Sequence, residues 1–546
     1  MRLLPTGIEN FKELMDNNYY YVDKSDFISD VLNEKVVLYT RPRRFGKTLN
    51  MSMLYYFFSN QEKQNSYLFE GLSIVSDNKA MTYQNRYPVI YISLKDLKNS
   101  TLSLQIDKFR SIISKLIIDQ FNELSHSAYL DKVEKDQLYR YKTKTSSESE
   151  LRDSLYNLST YLYKHYHEKT IILIDEYDVP LQAAYQNHYY DEMVDFMRSV
   201  FSSALKTNDA LEKAVMTGCL RISKESIFTG LNNFTTYSIL DNISNEYFGF
   251  TENEVKELLI SYNLQNSFAE VKDWYDGYKF GNSEIYNPWS ILNYVKNKVA
   301  DPSFEPVPFW ANTSGKELVV SYIQAGDKEL KNEFDKLING QAIEKVIQPE
   351  LTYREMDNIN NIYSFLLLTG YLKAIKRTGD NQYELVIPNK EVYEIYRLSF
   401  MNYFKEYTNA IKSLLYQELI RGNTRQVNEM LNDILMKTIS YYDNNESFYH
   451  GFLAGLFNDY QIKSNRESGN GRFDLCIVPD SILDTAVIIE CKHSDSVSLL
   501  RSDAKKVADQ IRNNQYTKEM LSDGYSDVIG YGISFYMKQC YVVKSE

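Results

Sequence analysis

The sequence predicts a multidomain protein of the mixed α/β class, and three observations lead to that prediction. The chain has 546 residues, which is too long for a single hydrophobic core. Near its start, an apolar run leads into Gly-Lys-Thr and then into a helical pattern. Near its end, two β-rich runs carry acidic residues and a lysine, and we therefore expect an α/β domain at each end of the chain.

The composition sets limits on compartment and partners. A formal net charge of −12 argues against a broad non-specific surface for nucleic acid, so any such contact must be local. No apolar run approaches membrane-spanning length, and the start of the chain has no apolar signal core. We therefore expect a cytoplasmic protein that does not enter a membrane. The four cysteines lack metal-binding spacing and are expected to be buried, reduced thiols.

The first element is a strand, a tight loop and a helix start within VVLYTRPRRFGKTLN, residues 36 to 50. Free backbone N–H groups at a helix start favour an anion, and Lys47 adds a positive charge for β- and γ-phosphates. Thr48 offers its hydroxyl to Mg²⁺. The first glycine of the usual phosphate-loop pattern is replaced by Arg41, and the alternative is a Gly-Lys-Thr that merely begins a helix. The candidate nucleotide-binding residues in this segment are Arg44, Gly46, Lys47 and Thr48.

The second element is the apolar run TIILIDEYD, residues 170 to 178, which is typical of a central parallel strand. Asp175 at its end can hold Mg²⁺, and Glu176 can polarise an attacking water. A further β-rich run, RYPVIYISL (86 to 94), lies between the two segments. A strand inserted between the phosphate-loop strand and the acidic strand fits the P-loop class in which the base directly follows the metal-binding acid. The alternative is a buried strand that exits into a polar loop.

Four segments together carry a family resemblance: RPRRFGKT, YYVDKSDFI (20 to 28), IDEYDVPL (174 to 181) and TGCLRISKESIF (217 to 228). They resemble bacterial AAA-ATPase-like proteins with a C-terminal PD-(D/E)XK nuclease-like domain, in which the loop commonly reads R-P-R-R-F-G-K-T. The resemblance implies a P-loop ATPase domain with a parallel sheet over residues 1–240, with ATP and Mg²⁺ as cofactors. It also makes KAVMTGCL a sensor strand, from which Arg221 contacts the γ-phosphate. The alternative is that Arg221 pairs with an acid at a domain face.

The middle of the chain is expected to form a helical lid (241–330) and a helical or winged-helix-like linker domain (331–444). Thr251 is placed to cap a helix with Glu254 three residues later. Trp274, Tyr278 and Trp289 resemble a stacking platform, but we interpret them as packing anchors. A helix–hairpin–helix pattern over 359–400 resembles a winged helix, and its few basic residues favour a structural role over DNA binding.

The third element comprises RFDLCIVPD (472 to 480) and AVIIECK (486 to 492) around a turn at 481–484. If these runs pair antiparallel about Ile482, Asp474 falls opposite Glu490. Glu490 and Lys492 then share one face of the sheet, because side chains alternate along a strand. The two carboxylates and the Cys491 carbonyl can bind a divalent cation, and Lys492 can orient or deprotonate water. The alternative is an ion-paired sheet surface.

The succession of elements after residue 445 resembles the PD-(D/E)XK phosphodiesterase fold, which sets the last predicted domain at 445–546. The resemblance implies an ATP-hydrolysing protein with a metal-dependent nuclease-like domain that acts on nucleic acid, with DNA favoured over RNA. Assembly into a homo-oligomer is a further expectation. The alternative is an ATP-dependent switch or remodelling scaffold whose C-terminal domain binds without cutting. By resemblance, the accessory site positions are Glu446, Glu467, Arg472 and Gln510.

Overall fold

In a computed structural model, the chain forms two compact units, Met1–Tyr396 and Arg397–Glu546. The structure describes residues 2–221, 234–312, 328–357, 361–396, 413–438, 449, 452–454, 456–457, 460–468, 471–479, 481, 483–522 and 524–545. None of the helices in these segments is long and apolar enough to cross a membrane.

The N-terminal unit contains a parallel sheet of five strands. Their order in the sheet is β2-β3-β4-β1-β5. Every residue of β1 and β3 is buried, as expected for parallel strands covered on both faces. Within the sheet, β4 separates β1 from β3, whereas β2, which lies between them in sequence, forms an edge. The strands are β1 (Val36–Thr40), β2 (Val89–Ser93), β3 (Thr170–Asp175), β4 (Leu211–Gly218) and β5 (Phe234–Tyr237).

Several helices of this unit pack against the sheet, among them α3, which begins directly after the phosphate-loop segment. The carboxyl ends of β1, β3 and β4 lie at one edge, because parallel strands share a direction. The first ten helices are α1 (Phe11–Asp16), α2 (Phe27–Leu32), α3 (Lys47–Phe58), α4 (Asn78–Met81), α5 (Leu102–Gln120), α6 (Lys132–Thr143), α7 (Glu148–Arg152), α8 (Ser154–Tyr166), α9 (Val179–Gln186) and α10 (Tyr190–Leu205).

Over residues 234–312, the middle region adds α11 (Glu252–Ser261), α12 (Phe268–Tyr275) and α13 (Pro288–Ala300). Thr251 and Glu254 form a reciprocal capping box at the start of α11, which confirms the predicted helix start. A short hairpin of β6 (Tyr278–Phe280) and β7 (Ser283–Ile285) lies between α12 and α13. Buried aromatic and aliphatic side chains of the three helices pack in one cluster, so this region has its own apolar core.

The predicted hairpin near residue 380 is present as β9 (Lys373–Gly379) and β10 (Gln382–Val386). It follows α14 (Lys328–Ile338) and α15 (Ile362–Leu368), and β8 (Ile343–Val346) adds a third antiparallel strand. The N-terminal compact unit extends through this hairpin to Tyr396. The part of the predicted linker segment 331–444 that lies before residue 397 therefore belongs to this compact unit.

The C-terminal unit is built on a mixed sheet in the order β11-β12-β13-β14-β15. Only β13 and β14 run parallel; the other neighbours are antiparallel. The helix α16 packs in the core on one face, and α17 and α18 pack on the other. The elements are α16 (Thr424–Thr438), β11 (Gln461–Ser468), β12 (Gly471–Val478), β13 (Thr485–His493), α17 (Leu500–Asn513), α18 (Tyr516–Ser522), β14 (Asp527–Tyr536) and β15 (Gln539–Lys544).

The C-terminal unit begins earlier in the chain than the predicted boundary at residue 445. Buried side chains of α16, such as Leu431 and Ile434, share one core with Ile489 of β13 and Ile533 of β14. This apolar contact joins the helix to the sheet, and no sequence motif marks it. The finer division of the chain into four domains stays a prediction.

Gly532 of β14 allows α17 to lie directly on the sheet. A Cβ added there would be 2.3 Å from the Ala504 carbonyl oxygen and 2.4 Å from the Ala508 nitrogen, both backbone atoms. We expect Gly532→Ala to lower the free energy of unfolding by about 1–3 kcal/mol, because the helix must shift. Urea denaturation measures this change. Gly379→Ala, whose nearest neighbour is the end of the flexible Gln382 side chain, is the control, and equal effects of both substitutions would contradict the packing account.

A fully buried carboxyl group, that of Glu391, ties α13 to the segment after β10. It accepts hydrogen bonds from the Ser290 hydroxyl (2.8 Å) and the Trp310 backbone N–H (2.9 Å). Burial raises the pKa of Glu391 to about 7, although these donors oppose the rise. The folded protein therefore holds this proton where the unfolded chain has lost it, and stability falls as pH rises from the unfolded value of 4.5 through about 7.

Glu391→Gln should abolish that fall, because the amide cannot ionise. Across this pH range the wild type should lose about 3 kcal/mol relative to the variant. Urea denaturation at pH 5, 6, 7 and 8 measures the difference, with Glu70→Gln as an exposed glutamate control. Parallel stability curves for the wild type and Glu391→Gln would show that Glu391 stays ionised in the folded protein.

Candidate functional site

The phosphate-loop segment forms a tight turn between β1 and α3. Gly46 caps α3 with a left-handed backbone (φ 81°), and Arg44 is also left-handed (φ 70°). The Lys47 ammonium group is buried and donates to the carbonyl oxygens of Arg41 and Pro42, both at 2.9 Å. The lysine therefore lies along its own loop, beside the free N–H groups of the α3 start.

Arg41 has a structural role in place of the usual glycine. Its guanidinium group is fully buried and donates to the carbonyl oxygens of Thr40 (2.9 Å) and Tyr237 (2.8 Å). It also lies over the rings of Phe248 and Phe280, at 5.0 and 5.5 Å from their centroids. Burial lowers the pKa of Arg41 to about 10. The side chain thus fastens the loop to the end of β5 and to the segment that precedes α11.

Asp175 connects the end of β3 with the start of α3 and the end of β4. Its carboxylate accepts hydrogen bonds from the Thr48 hydroxyl (2.8 Å) and from the Thr217 hydroxyl at the end of β4 (2.5 Å). Burial raises the pKa of Asp175, and the Thr217 hydroxyl and the Thr48 hydroxyl oppose that rise. The predicted acid and the predicted threonine are therefore in direct contact, although 127 positions separate them in sequence.

Glu176 follows Asp175 with a left-handed backbone (φ 53°), which is uncommon for a residue other than glycine. It lines a cavity of about 530 Å³ together with Arg44, Lys47 and Thr48. Other lining residues come from the first 24 residues and from the middle region, and they include Trp289. The structure thus brings the predicted phosphate-loop residues and the predicted base to a single cavity.

Trp289 is part of this cavity and not only the packing anchor that the sequence suggested. Its indole lies against the Arg44 guanidinium, whose central carbon is 4.3 Å from the ring centroid. No local pattern indicated this contact, because 245 positions separate the two residues. The position of Trp289 directly after Asn287-Pro288, a helix-start signal, was the only available hint.

Asp178 is a buried acid that the sequence analysis did not single out. Its carboxylate accepts the backbone N–H groups of Cys219 (2.8 Å) and Leu220 (3.1 Å), just after β4. Burial raises the pKa of Asp178, and the Cys219 hydrogen bond opposes the rise. Asp178 therefore holds the chain after β3 against the chain after β4. The IDEYD motif therefore contains this structural acid, the candidate Mg²⁺ ligand Asp175 and the candidate base Glu176.

Arg221 forms an ion pair with Glu350, with 2.7 Å between the guanidinium nitrogen and the carboxylate oxygen. Its backbone carbonyl also accepts the N–H of Leu351. This is the pairing that the sequence analysis held open as the alternative. Contact between Arg221 and a γ-phosphate stays a prediction.

The C-terminal strands β12 and β13 pair in the predicted register. Leu475 lies opposite Ile489, as expected for pairing about position 482. The backbone N–H of Asp484 donates to the Ser481 carbonyl oxygen. The observed ladder ends at Leu475 and Ile489, one step before the candidate acids. There the Asp474 carboxylate accepts the backbone N–H of Cys491 at 2.8 Å. Asp474 thus approaches β13 beside Glu490, whereas metal binding by the Cys491 carbonyl stays a prediction.

Lys492 contacts an acid that the sequence analysis missed. Its ammonium nitrogen is 3.5 Å from the buried Asp503 carboxylate of α17, which also accepts hydrogen bonds from Ser494 and Lys506, both at 3.0 Å. Burial opposes ionisation, but the Lys506 and Ser494 hydrogen bonds outweigh it and lower the pKa of Asp503. The spacing of residues 503 and 510 puts Gln510 on the same side of α17, where it is exposed.

The other accessory positions are described only in part. Glu467 and Arg472 lie opposite each other on β11 and β12, and only their backbones are described. Glu446 lies outside the described residues. Within the described segments, no group of three or more His, Cys, Asp or Glu residues is placed to hold a metal ion. An ion at the C-terminal site would therefore need main-chain oxygen or water beside Asp474 and Glu490.

Comparisons with known proteins match two separate parts of the chain. Residues 5–228 match the family model described as "Predicted AAA-ATPase", and residues 444–545 match that of the PD-(D/E)XK nuclease superfamily. The chain is also similar to an "Uncharacterized protein in vnfD 5'region" of Azotobacter chroococcum mcd 1. The two are 23% identical over 495 residues, which cover 87% of each chain. The chain therefore combines an AAA-ATPase-like domain with a C-terminal domain of the PD-(D/E)XK nuclease superfamily.

Proposed function

We propose that the N-terminal cavity binds and hydrolyses ATP with Mg²⁺, and that the C-terminal domain hydrolyses nucleic acid phosphodiesters with a divalent ion. The observation that carries the proposal is the Asp175 carboxylate between the hydroxyls of Thr48 and Thr217. The same cavity is lined by Lys47 and Glu176. The two family matches support the general class, and the activities, ligands and residue roles are our proposal.

The donors at the N-terminal site fit a hard divalent cation. Thr48 and Asp175 offer oxygen ligands, which Mg²⁺ prefers. A neighbouring positive charge would also stabilise the ionised form of the buried Asp175 carboxyl group. A bound Mg²⁺ would neutralise part of the phosphate charge. In our proposal Lys47 leaves the Arg41 and Pro42 carbonyls and donates to β- and γ-phosphate oxygens.

Glu176 is the proposed general base of ATP hydrolysis. The water oxygen forms a bond to the γ-phosphorus, and its proton passes to the Glu176 carboxylate. The bond between the γ-phosphorus and the β,γ-bridging oxygen breaks, which yields ADP and phosphate. The left-handed backbone of Glu176 supports this role, because strained positions are common in active sites.

At the C-terminal site, Asp474 and Glu490 are the proposed ligands of a divalent cation, which would stabilise charge on the phosphodiester oxygens. The Lys492 ammonium group orients the attacking water, whose proton passes to solvent. The water oxygen bonds to phosphorus, one ester P–O bond breaks, and the leaving oxygen takes a proton from solvent. The ion pair between Lys492 and Asp503 keeps the ammonium group near the carboxylates in the absence of substrate.

Lys47→Ala should lower kcat for Mg²⁺-dependent ATP hydrolysis by at least about 100-fold, because it removes the cation that faces the phosphates. Phosphate release measures the rate, and circular dichroism checks the fold. Lys63→Ala, which removes an exposed lysine, is the control. Turnover by Lys47→Ala at the control rate would refute the assignment of this site.

Asp474→Ala should abolish Mg²⁺- or Mn²⁺-dependent cleavage of DNA or RNA, because a single carboxylate binds the cation too weakly. The assay includes single- and double-stranded substrates of both kinds, with and without ATP. Asp509→Ala is the control, since Asp509 lies at the surface of α17 and pairs with Arg512.

Cleavage by Asp474→Ala at the rate of Asp509→Ala would contradict the assigned residues. If the wild type binds nucleic acid and cuts no substrate under either metal, the regulatory alternative replaces the nuclease proposal. Inclusion of Lys47→Ala in the same assay shows whether cleavage depends on ATP turnover.

A further inference from the structure

The phosphate loop and the helix α13 meet through a stacked pair of side chains. The guanidinium carbon of Arg44 lies 4.3 Å from the centroid of the Trp289 indole. Both residues line the cavity that Lys47 and Thr48 also line. Arg44 is exposed, and none of the ion pairs found among the described residues involves it. Its charge is therefore balanced by the π-face of the indole and by solvent.

Trp289 is held firmly at the start of α13. The Asn287 side chain accepts the backbone N–H groups of Trp289 (2.9 Å) and Ser290 (3.4 Å) and so caps the helix. The indole N–H donates to the Phe309 carbonyl at 3.4 Å. The next residue, Ser290, donates to the buried Glu391 carboxyl group. The capping bonds hold the backbone at Trp289, and the indole N–H bond orients the ring.

The stack leaves the donors of Arg44 available. Stacking occupies the flat face of a guanidinium group, whereas its five N–H donors lie in the plane and point outward. An anion can therefore bind the edge of the group while the indole keeps the face. The left-handed backbone of Arg44, two residues before Gly46, belongs to the same turn that places Lys47 at the cavity.

We propose that Trp289 is a positioning residue that presents the guanidinium edge of Arg44 to the phosphates of the bound nucleotide. This inference rests on the proposed ATP site and assigns to α13 a part in phosphate recognition. A fixed guanidinium loses less side-chain entropy when the phosphate binds, so stacking increases phosphate affinity. If Trp289 instead stacks on the base, its loss affects ligands with and without phosphates alike.

The test measures binding of a non-hydrolysable ATP analogue and of adenosine, both with Mg²⁺, by isothermal titration calorimetry. Trp289→Leu should weaken binding of the analogue by about 2- to 5-fold, which corresponds to an exposed cation–π contact of about 0.5–1 kcal/mol. Adenosine affinity should stay unchanged. Trp289→Phe, which keeps an aromatic face, should retain most of the analogue affinity.

A double-mutant cycle with Arg44→Ala isolates the pair. In the Arg44→Ala background, Trp289→Leu should have no further effect on the analogue. Trp274→Leu is the control, because Trp274 packs in the apolar cluster of the middle region and not in the cavity wall. Thermal unfolding shows whether each variant is folded, and Trp289→Phe keeps the test valid if the leucine variant is not.

Equal losses for the analogue and adenosine would overturn the inference in favour of base stacking. Full additivity of the two substitutions would overturn it as well, because the residues would then act separately. If the wild type binds adenosine but not the analogue, phosphate recognition is absent and the inference fails. If the wild type binds neither ligand, the proposed ATP site fails, and this inference falls with it.

Discussion

The candidate ATP site depends on one interaction, the Asp175 carboxylate held between the hydroxyls of Thr48 and Thr217. Asp175 lies at the end of β3, Thr48 at the start of α3 and Thr217 near the end of β4. A parallel sheet brings such ends to one edge, but it does not by itself align their side chains. The shared carboxylate provides that alignment, because it is fully buried and accepts hydrogen bonds from both hydroxyls. A cation there would find oxygen ligands already in place.

The loop above this carboxylate depends on Arg41. A glycine at that position usually lets a phosphate loop turn freely, whereas here a buried guanidinium group ties the turn to Tyr237 and to two aromatic rings. The desolvation cost of a buried arginine is offset by its carbonyl acceptors and the ring faces. The loop therefore derives its shape from tertiary contacts, and the replacement of glycine does not imply loss of the site.

The sequence predicted those features that have a local signature. Apolar runs gave β1 and β3, the Thr251–Glu254 spacing gave a helix start, and the symmetry about Ile482 gave the register of β12 and β13. It did not predict the stack of Arg44 on Trp289 or the contact of Lys492 with Asp503. The Arg44–Trp289 contact joins elements that are far apart in the sequence. The Lys492–Asp503 contact depends on where α17 lies on the sheet. Neither leaves a spacing pattern along the chain. The packing of α16 in the core of the C-terminal unit likewise has no local signature, because it depends on apolar contacts between elements.

The central claim is that Thr48 and Asp175 are ready to hold a divalent ion beside nucleotide phosphates. The most direct measurement is a crystal structure of the whole chain with Mn²⁺ and a non-hydrolysable ATP analogue, with the metal located by its anomalous scattering. The account predicts a peak within coordination distance of the Thr48 hydroxyl and the phosphates, with Asp175 bound directly or through one water. A nucleotide bound with its metal away from both residues would contradict it.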